Sequence, residues 1–404
     1  MPASKEVPLD VLFLAHRAPF PPDKGDRLRA WRHLQRLSRL GPVDLVALAD
    51  DEHDASAARA GLAPVCRELV VLPRRRARAK LQAGLALLAG GSLSAAWHAD
   101  GRLARALAGL QERHDYGLLW AFSSGTWPWW GRCRARRRIA DLCDLDALKW
   151  EALARRGGPR AALWRLEARR LLPLELRLAA EADLVLLITP EEAADLAARG
   201  GRPRRLEVLT NGVDAQAFAG LAPPSAAAPV VAFLGQMDYP PNVSAAVHLA
   251  REVLPRVRRT VPGARLLILG RSPAPEVAAL ASAGKVEVRG AIDSVPASLE
   301  PVAVFAAPLD EGRGLPNKVL EALAAGRPVV LSSRAARALS GGPGRDYLVA
   351  DGAEACAAAV AGLLADPARR DALGAAGRAY VRRAHDWDEV LARLEQLVRE
   401  TTGA

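Results

Sequence analysis

The chain has 404 residues, 25% charged and 50% hydrophobic, with 56 Lys and Arg against 45 Asp and Glu. That composition excludes disordered and collagen-like chains, and at roughly 100–200 residues per domain it predicts two or three domains. A net charge of +11 and a pI near 10.1 point to a polyanionic partner (nucleic acid, an anionic lipid surface or a phosphorylated small molecule) without choosing among them.

Val7 to Ala15 reads as a short apolar strand running into the loop HRAPFPPDKGDR. Its apolar run, Val11 to Ala15, is too short for a signal-peptide core. Leu28, Trp31, Leu34, Leu37 and Leu40 recur every third residue, a stripe that predicts a helix ended by Gly41-Pro42. Strands are predicted at Val43–Ala49, Leu69–Leu72, Leu118–Phe122, Arg138–Leu142 and Leu184–Ile188. The last leads into Thr189-Pro-Glu-Glu192, a capping box with proline at the first helical position. Leu81 to Trp97 falls short of the about 20 apolar residues that span a bilayer, so no membrane crossing is expected. After Gly220 the stretch LAPPSAAAPV has no periodicity and reads as a linker. A second set of strands follows at Val230–Leu234, Arg265–Leu269, Val286–Arg289, Val302–Ala307 and Val329–Leu331, with a helix from about Asn242.

Strand and helix in alternation imply parallel sheets covered on both faces. The expected fold is α/β, with two doubly wound Rossmann-like domains facing across a cleft, where open α/β sheets bind ligands. The first domain is expected over 1–220, a linker over 221–228, the second domain over 229–385, and a terminal segment over 386–404. Residues 1–220 hold 35 Lys and Arg against 26 Asp and Glu, a balance of +9, which leaves +2 for the rest. The basic bias concentrates at Arg74, Arg75, Arg76, Arg78 and Lys80 and again at Arg132, Arg134 and Arg136 to Arg138. Four cysteines (Cys66, Cys133, Cys143, Cys356) form no CxxC pair and no metal spacing with the seven histidines. A reducing cytoplasm is therefore expected, without disulfides or structural zinc.

The segment VAVFAAPLDEGRGLPNKVLEALAAGRPVV, residues 302–330, carries the most chemistry. A strand runs into a Gly312-Arg-Gly314 loop, and a helix starts near Pro316, where backbone N–H groups and the helix dipole attract phosphate. Arg313 and Lys318 add charge, and Glu321, one turn in, can accept hydrogen bonds from sugar hydroxyls. The alternative is that the two glycines only make a tight turn. GxxxxGK[ST] is absent from the chain. Asn317 replaces the third glycine of a dinucleotide fingerprint and no acidic residue follows the next strand, so NAD is disfavoured.

These residues resemble the donor-site motif of the retaining GT-B glycosyltransferases, G-x-G-x-x-x-K-x-L-E-A-[ML]-A-x-G-x-P-V-V, with Gly312, Gly314, Lys318, Glu321, Gly326 and Pro328 on its fixed positions. VLFLAHRAPFPPDKGDRLRAW, DLCDLDALKW, LTNGVD, FLGQMDYPPN and the HDW at 385–387 resemble blocks of one subgroup, the sugar transferases associated with exosortase/PEP-CTERM exopolysaccharide clusters. The chain departs from the family in two places. Arg313 stands where many members carry a glutamate eight residues before the second, and Glu311 lies ten before it. The Arg/Lys pair after the first strand of the second domain is replaced by GQMDYPPN.

The resemblance implies transfer of a sugar from a nucleotide diphosphate-sugar to a growing exopolysaccharide or lipid-linked glycan, with retention of configuration, no metal and no cofactor. Gly25, Gly235, Arg271, Gly312, Gly314, Leu315, Asn317, Lys318 and Glu321 would bind the donor. His16, Glu311 and Arg313 would act at the reacting sugar, and Lys24, Asp26, Arg27 and Asp144 would lie on the acceptor side. The last helix would cross back to the first domain. Bland readings stand beside these. Asp23 to Arg27 can simply cap a helix, the Asp141, Asp144 and Asp146 carboxylates can be solvated caps, and Asn211-Gly212 is first a turn signal. Trp127, Trp129 and Trp130 beside the basic run at 132–138 would suit a membrane interface or single-stranded nucleic acid. The Arg-rich helix over 155–177 would suit an anionic membrane. Peripheral attachment at the inner face of the cytoplasmic membrane is expected, and no nucleic-acid partner. A non-catalytic nucleotide-sugar scaffold, a nucleotide-sugar epimerase and a basic nucleic-acid-binding protein are the alternatives.

Overall fold

Runs of four to seven residues, apolar at nearly every position and rich in Val, Leu and Ala, form strands buried on both faces. A computed structural model describes residues 8–223, 229–311 and 314–403, with the backbone alone at residue 283. In it the chain makes two units, Met1–Thr210 with Leu391–Ala404, and Asn211–Val390.

The first unit holds seven parallel strands: β1 Val11–Ala15, β2 Val43–Ala49, β3 Glu68–Pro73, β4 Leu118–Phe122, β5 Arg137–Cys143, β6 Leu184–Leu187 and β7 Leu206–Val208. Their spatial order is β3-β2-β1-β4-β5-β6-β7. The second unit holds six, β8 Val230–Leu234, β9 Arg265–Leu269, β10 Val286–Arg289, β11 Val304–Ala307, β12 Val329–Leu331 and β13 Leu348–Val349, in the order β10-β9-β8-β11-β12-β13. Every pairing is parallel. Each sheet therefore reverses its winding once, between β1 and β4 and between β8 and β11. The loops leaving those four strands flank the crevices where doubly wound sheets place ligands. β1, β2, β4, β6, β8 and β11 are buried throughout, which is why their runs carry no polar alternation.

Several details differ from the sequence reading. The helix predicted from Leu28 starts at Gly25 and ends at Leu37, so Asp26 and Arg27 lie on its first turn rather than in the preceding loop. Gly41 follows because a Cβ there would come 2.4 Å from the Leu9 carbonyl oxygen. The first unit ends at Thr210 rather than 220, because Val213 pairs with Asp386: the Val213 N–H donates to the His385 carbonyl at 2.7 Å and the Trp387 N–H returns to Val213 at 3.2 Å. Leu391–Ala404 packs with the first unit through Arg36–Glu395 at 2.8 Å, Arg393–Glu207 at 3.1 Å and an Arg205–Glu400 ion pair. Most of the expected linker, residues 224–228, lies outside the described residues.

The Trp/Arg run is not the surface aromatic patch expected. Trp129 and Trp130 are 1% exposed and belong to the core of the first unit. The Trp130 indole N–H donates to Glu181 at 2.8 Å, and Arg138 lies over its ring. The 155–177 stretch divides between the helices Asp146–Arg155 and Ala161–Glu181, which stack Trp150 on Trp164 at 4.9 Å. The exposed apolar stripe lies elsewhere. On the helix Arg76–Leu88, Leu81, Leu85 and Leu88 are 64%, 57% and 85% exposed beside Arg76, Arg78 and Lys80. Among the described residues no helix is long and apolar enough to cross a membrane.

Candidate active site

In the second unit, Gly235 follows β8 and donates its N–H to the Leu269 carbonyl at 2.9 Å. A Cβ at Gly235 would sit 3.0 Å from the Lys318 ammonium and 2.7 Å from the Asn242 amide nitrogen, so only glycine leaves this space open. Lys318 comes from the first turn of the helix Asn317–Ala324. Its Nζ donates to Asn242 Oδ1 and lies 4.9 Å from the Phe233 ring centroid, a cation–π distance. Glu321 follows one turn later on the same face. Burial pushes Lys318 down to about 7, against the pull of Glu321, and pushes Glu321 up to about 7, against the pull of Lys318. Among the described residues the Glu321 carboxylate makes no hydrogen bond and no ion pair. A half-buried carboxylate without a partner is poised to accept hydrogen bonds from a ligand.

The rest of this edge is backbone. Gly314 takes φ +78° and Leu315 is buried, bringing the chain into the helix through Pro316. Asn317 accepts a hydrogen bond from Asn211 at 3.4 Å. Glu311 is exposed at the margin of the loop after β11. Gly312 and Arg313, expected to bind the donor and to act at the sugar, lie outside the described residues. Arg271 is exposed after β9, and its carbonyl receives the Met237 N–H at 3.0 Å. Before it, Gly270 has φ +139°, and a Cβ there would fall 1.7 Å from the Gly235 carbonyl oxygen. Gly270→Ala should therefore cost about 1–3 kcal/mol in backbone strain alone, with further loss from the overlap; urea unfolding of the variant measures it.

In the first unit, His16 follows β1 and is held by rings: Phe122 stacks at 6.2 Å and His98 meets it edge-on at 5.4 Å. Burial lowers its pKa, against the pull of Asp26, whose carboxylate lies 3.8 Å from Nε2 and pairs with Arg17 at 3.1 Å. A neutral imidazole among these groups can donate or accept one hydrogen bond at a hydroxyl. Nearby the Ser124 hydroxyl donates to Asp146 at 2.6 Å, and Lys149 bridges Asp146 at 3.0 Å and Asp144 at 2.8 Å. Burial opposes ionisation of Asp146, but Lys149 and Ser124 outweigh it and hold the carboxyl below its usual range. Burial and the Asp146 charge push Glu175, which accepts the Asp146 N–H at 2.7 Å, well above the usual carboxylate range.

The structure therefore gathers His16, Asp26 and Asp146 on one sheet edge, and Gly235, Lys318 and Glu321 on the other unit's edge. Lys24 and Gly25 are exposed where the Gly25–Leu37 helix begins. Arg27 does not face a ligand. It is 4% exposed, forks onto Asp54 with two 2.8 Å bonds and lies 3.5 Å from Asp50, bracing the helix against the loop after β2. Asp144 is neutralised by Lys149. Asn242 carries no local signal because its partner Lys318 lies on another element, whereas the Asp146/Lys149 spacing in DALKW does. His98, a lone histidine in the sequence, gains a place at the site only through its edge-on contact with His16. Among the described residues no group of three His, Cys, Asp or Glu side chains could hold a metal ion.

Two doubly wound parallel sheets, each with its ligand edge at the winding reversal, define the GT-B fold. Solved structures agree: sucrose-phosphate synthase from Thermosynechococcus elongatus superposes with a TM-score of 0.72 at 18% identity, covering 97% of this chain and 98% of that one. HepE from Anabaena, solved in complex with UDP and glucose, gives 0.67 at 15% identity over 97% and 100% of the two chains. Residues 228–366, the segment containing Gly235, Lys318 and Glu321, match the family model "Glycosyl transferases group 1". A GDP-mannose-dependent alpha-(1-6)-phosphatidylinositol monomannoside mannosyltransferase from Mycobacterium tuberculosis is 31% identical over 243 residues, 54% of this chain and 62% of that protein. The chain thus spans about three fifths of the length of the curated relatives it matches.

Proposed function

We propose that the protein is a glycosyltransferase that moves a sugar from a nucleotide diphosphate-sugar to a lipid-linked or growing exopolysaccharide glycan, with retention at the anomeric carbon and without a metal. The observation that carries this reading is Glu321, an unpartnered carboxylate one turn from Lys318 at a helix start beside Gly235. Glu321 would accept the ribose hydroxyls, and Lys318 with the N–H groups of the helix start would hold the diphosphate as it departs. On the other unit, His16 and Asp26 would act on the reacting sugar and the acceptor hydroxyl. The sequence blocks that resemble those of exosortase-associated transferases favour an exopolysaccharide acceptor, and the mannosyltransferase relative is itself named for a glycolipid substrate.

The reading has a pH signature. A diphosphate beside Lys318 favours the ammonium, so binding takes up a proton above pH 7. Ribose donors on Glu321 favour the carboxylate, so binding releases one below pH 7. Donor affinity should peak near pH 7 and fall by up to about tenfold per unit on either side, as titrations at pH 6, 7 and 8 would show.

The Leu81, Leu85, Leu88 stripe with its basic flank supports peripheral attachment at the inner face of the cytoplasmic membrane. Leu81→Glu with Leu85→Glu should abolish co-sedimentation with phosphatidylglycerol vesicles, whose headgroup is a phosphodiester, while leaving donor binding intact. A thermal-shift panel of UDP-, GDP- and dTDP-sugars, with and without EDTA, tests the donor assignment. A shift confined to one nucleotide-sugar class and indifferent to EDTA is expected. A response only to single-stranded oligonucleotides, lost at high salt, would replace the reading with nucleic-acid binding.

A further inference from the structure

The helix Pro367–Ala384 carries five arginines and one carboxylate, Asp371. Asp371, Arg378 and Arg382 share one face, at helical spacings of seven and four. That face lines a cavity of about 390 Å³, together with Gly326 and Arg383. Gly326 sits just past the C-terminal end of Asn317–Ala324, about 12 Å along that helix from Lys318. It takes φ +65°, and a Cβ there would come 2.7 Å from the Arg378 guanidinium, so glycine lets Arg378 lie flat against the backbone.

Among the described residues Arg327, Arg378, Arg382 and Arg383 form no ion pair with a carboxylate. Arg378 donates to the Ala325 carbonyl at 2.9 Å and the Leu221 carbonyl at 3.3 Å, while its buried Nε has no partner. Arg327, next to Gly326 and 0% exposed, donates one N–H to Ala222 at 2.9 Å and leaves Nε and Nη1 unpartnered. Burial and the charges of Arg378 and Arg370 hold Arg327 down at about 10, with Glu300 and Asp371 opposing. Asp371 is already engaged by Arg370 at 3.2 Å. Because Arg378 occupies the Ala325 carbonyl, the negative end of the Asn317–Ala324 helix is covered where an anion would approach.

We propose that this cavity is a second anion site that binds a phosphate monoester. Arg378, Arg382 and Arg383 would present guanidinium forks to the terminal oxygens, over the buried charge of Arg327. Three lining guanidiniums against one carboxylate leave an excess that a carboxylate ligand would only half neutralise. A phosphate monoester brings nearly two negative charges and three acceptor oxygens near neutral pH. The volume exceeds what a bare ion needs and is of the size that holds a small ligand, so the ester's polar body fits with it. The ligand is either a soluble phosphorylated metabolite or the same group on a lipid.

The test is calorimetric titration of the full chain with glycerol 3-phosphate, and co-sedimentation with phosphatidylcholine vesicles containing phosphatidic acid. The vesicle arm uses the Leu81→Glu, Leu85→Glu background, which silences the other lipid-facing surface. Arg382 and Arg383 are exposed, so Arg382→Gln with Arg383→Gln spares the fold; unchanged nucleotide-sugar binding and unfolding midpoint verify this. The wild type should bind one glycerol 3-phosphate, at least tenfold more weakly in the double variant, and with unchanged affinity in Lys318→Met. Loss confined to the vesicle arm would assign the lipid-borne group, and loss in the soluble arm the metabolite. Equal binding of both probes by wild type and double variant, loss in Lys318→Met instead, or no binding of either probe would overturn the proposal.

Discussion

Replacing Asp141 with alanine is expected to cost about 3–5 kcal/mol of folding stability, the range for breaking a buried ion pair by removing one partner. Asp141 lies in β5, two residues before its end, and is fully buried. It accepts Arg29 Nη2 at 3.0 Å and Nε at 3.1 Å, and lies 3.0 Å from His33 Nδ1. Arg29 spends another N–H group on the Leu209 and Thr210 carbonyls at 2.9 and 3.1 Å, where the first unit's chain ends. Burial works against the Asp141 charge, but Arg29 and His33 hold its carboxyl down at about 2, so it is ionised throughout the physiological range. Without that carboxylate the Arg29 guanidinium, 1% exposed, loses the anion it pairs with directly and keeps the more distant pull of Asp144. Removing both charges with Arg29→Met and Asp141→Leu should restore much of the loss, since two apolar side chains leave no buried charge. Urea unfolding of the three variants decides this, and a loss below 1 kcal/mol in Asp141→Ala would show that the pair does not support the fold.

Glu321→Ala should weaken nucleotide-sugar binding by about 1.5–3 kcal/mol, the worth of a hydrogen bond to a charged group. That is roughly 10- to 150-fold in affinity. Stability should change little or rise, because the half-buried carboxylate makes no hydrogen bond or ion pair among the described residues. Lys318→Met should weaken binding too, and for free nucleoside diphosphate as much as for the sugar conjugate, because its charge addresses the phosphates. Matched titrations separate the two roles, and unchanged affinity in Glu321→Ala would remove that residue from the site.

The strands were legible because burial on both faces forces continuous apolar runs, and β1, β2, β4, β8 and β11 stand out for that reason. β13 did not, since two residues on a sheet edge carry no pattern. The 302–330 segment was legible as chemistry because strand, glycines, helix start, Lys318 and Glu321 are all local in sequence. What stays hidden is long-range pairing. Arg27 and Lys318 both read as charges near a loop, and only the fold commits the first to Asp54 and turns the second toward Gly235 and Asn242. Trp129 and Trp130 sit in a basic stretch, yet their rings belong to the core. The break between the units falls at Asn211, where Val213 meets Asp386 from far along the chain, and not at the proline-rich stretch that composition marks. The exposed stripe at Leu81, Leu85 and Leu88 resembles any buried helix face until its packing is seen.

The account stands or falls on turnover. Release of nucleoside diphosphate should be followed with the nucleotide-sugar that the thermal-shift panel selects, with and without a lipid extract as acceptor. The account predicts release that requires the extract, incorporates the sugar with its anomeric configuration retained, persists in EDTA and falls at least tenfold in Glu321→Ala. Donor binding without release in any extract would contradict it and leave a nucleotide-sugar-binding scaffold.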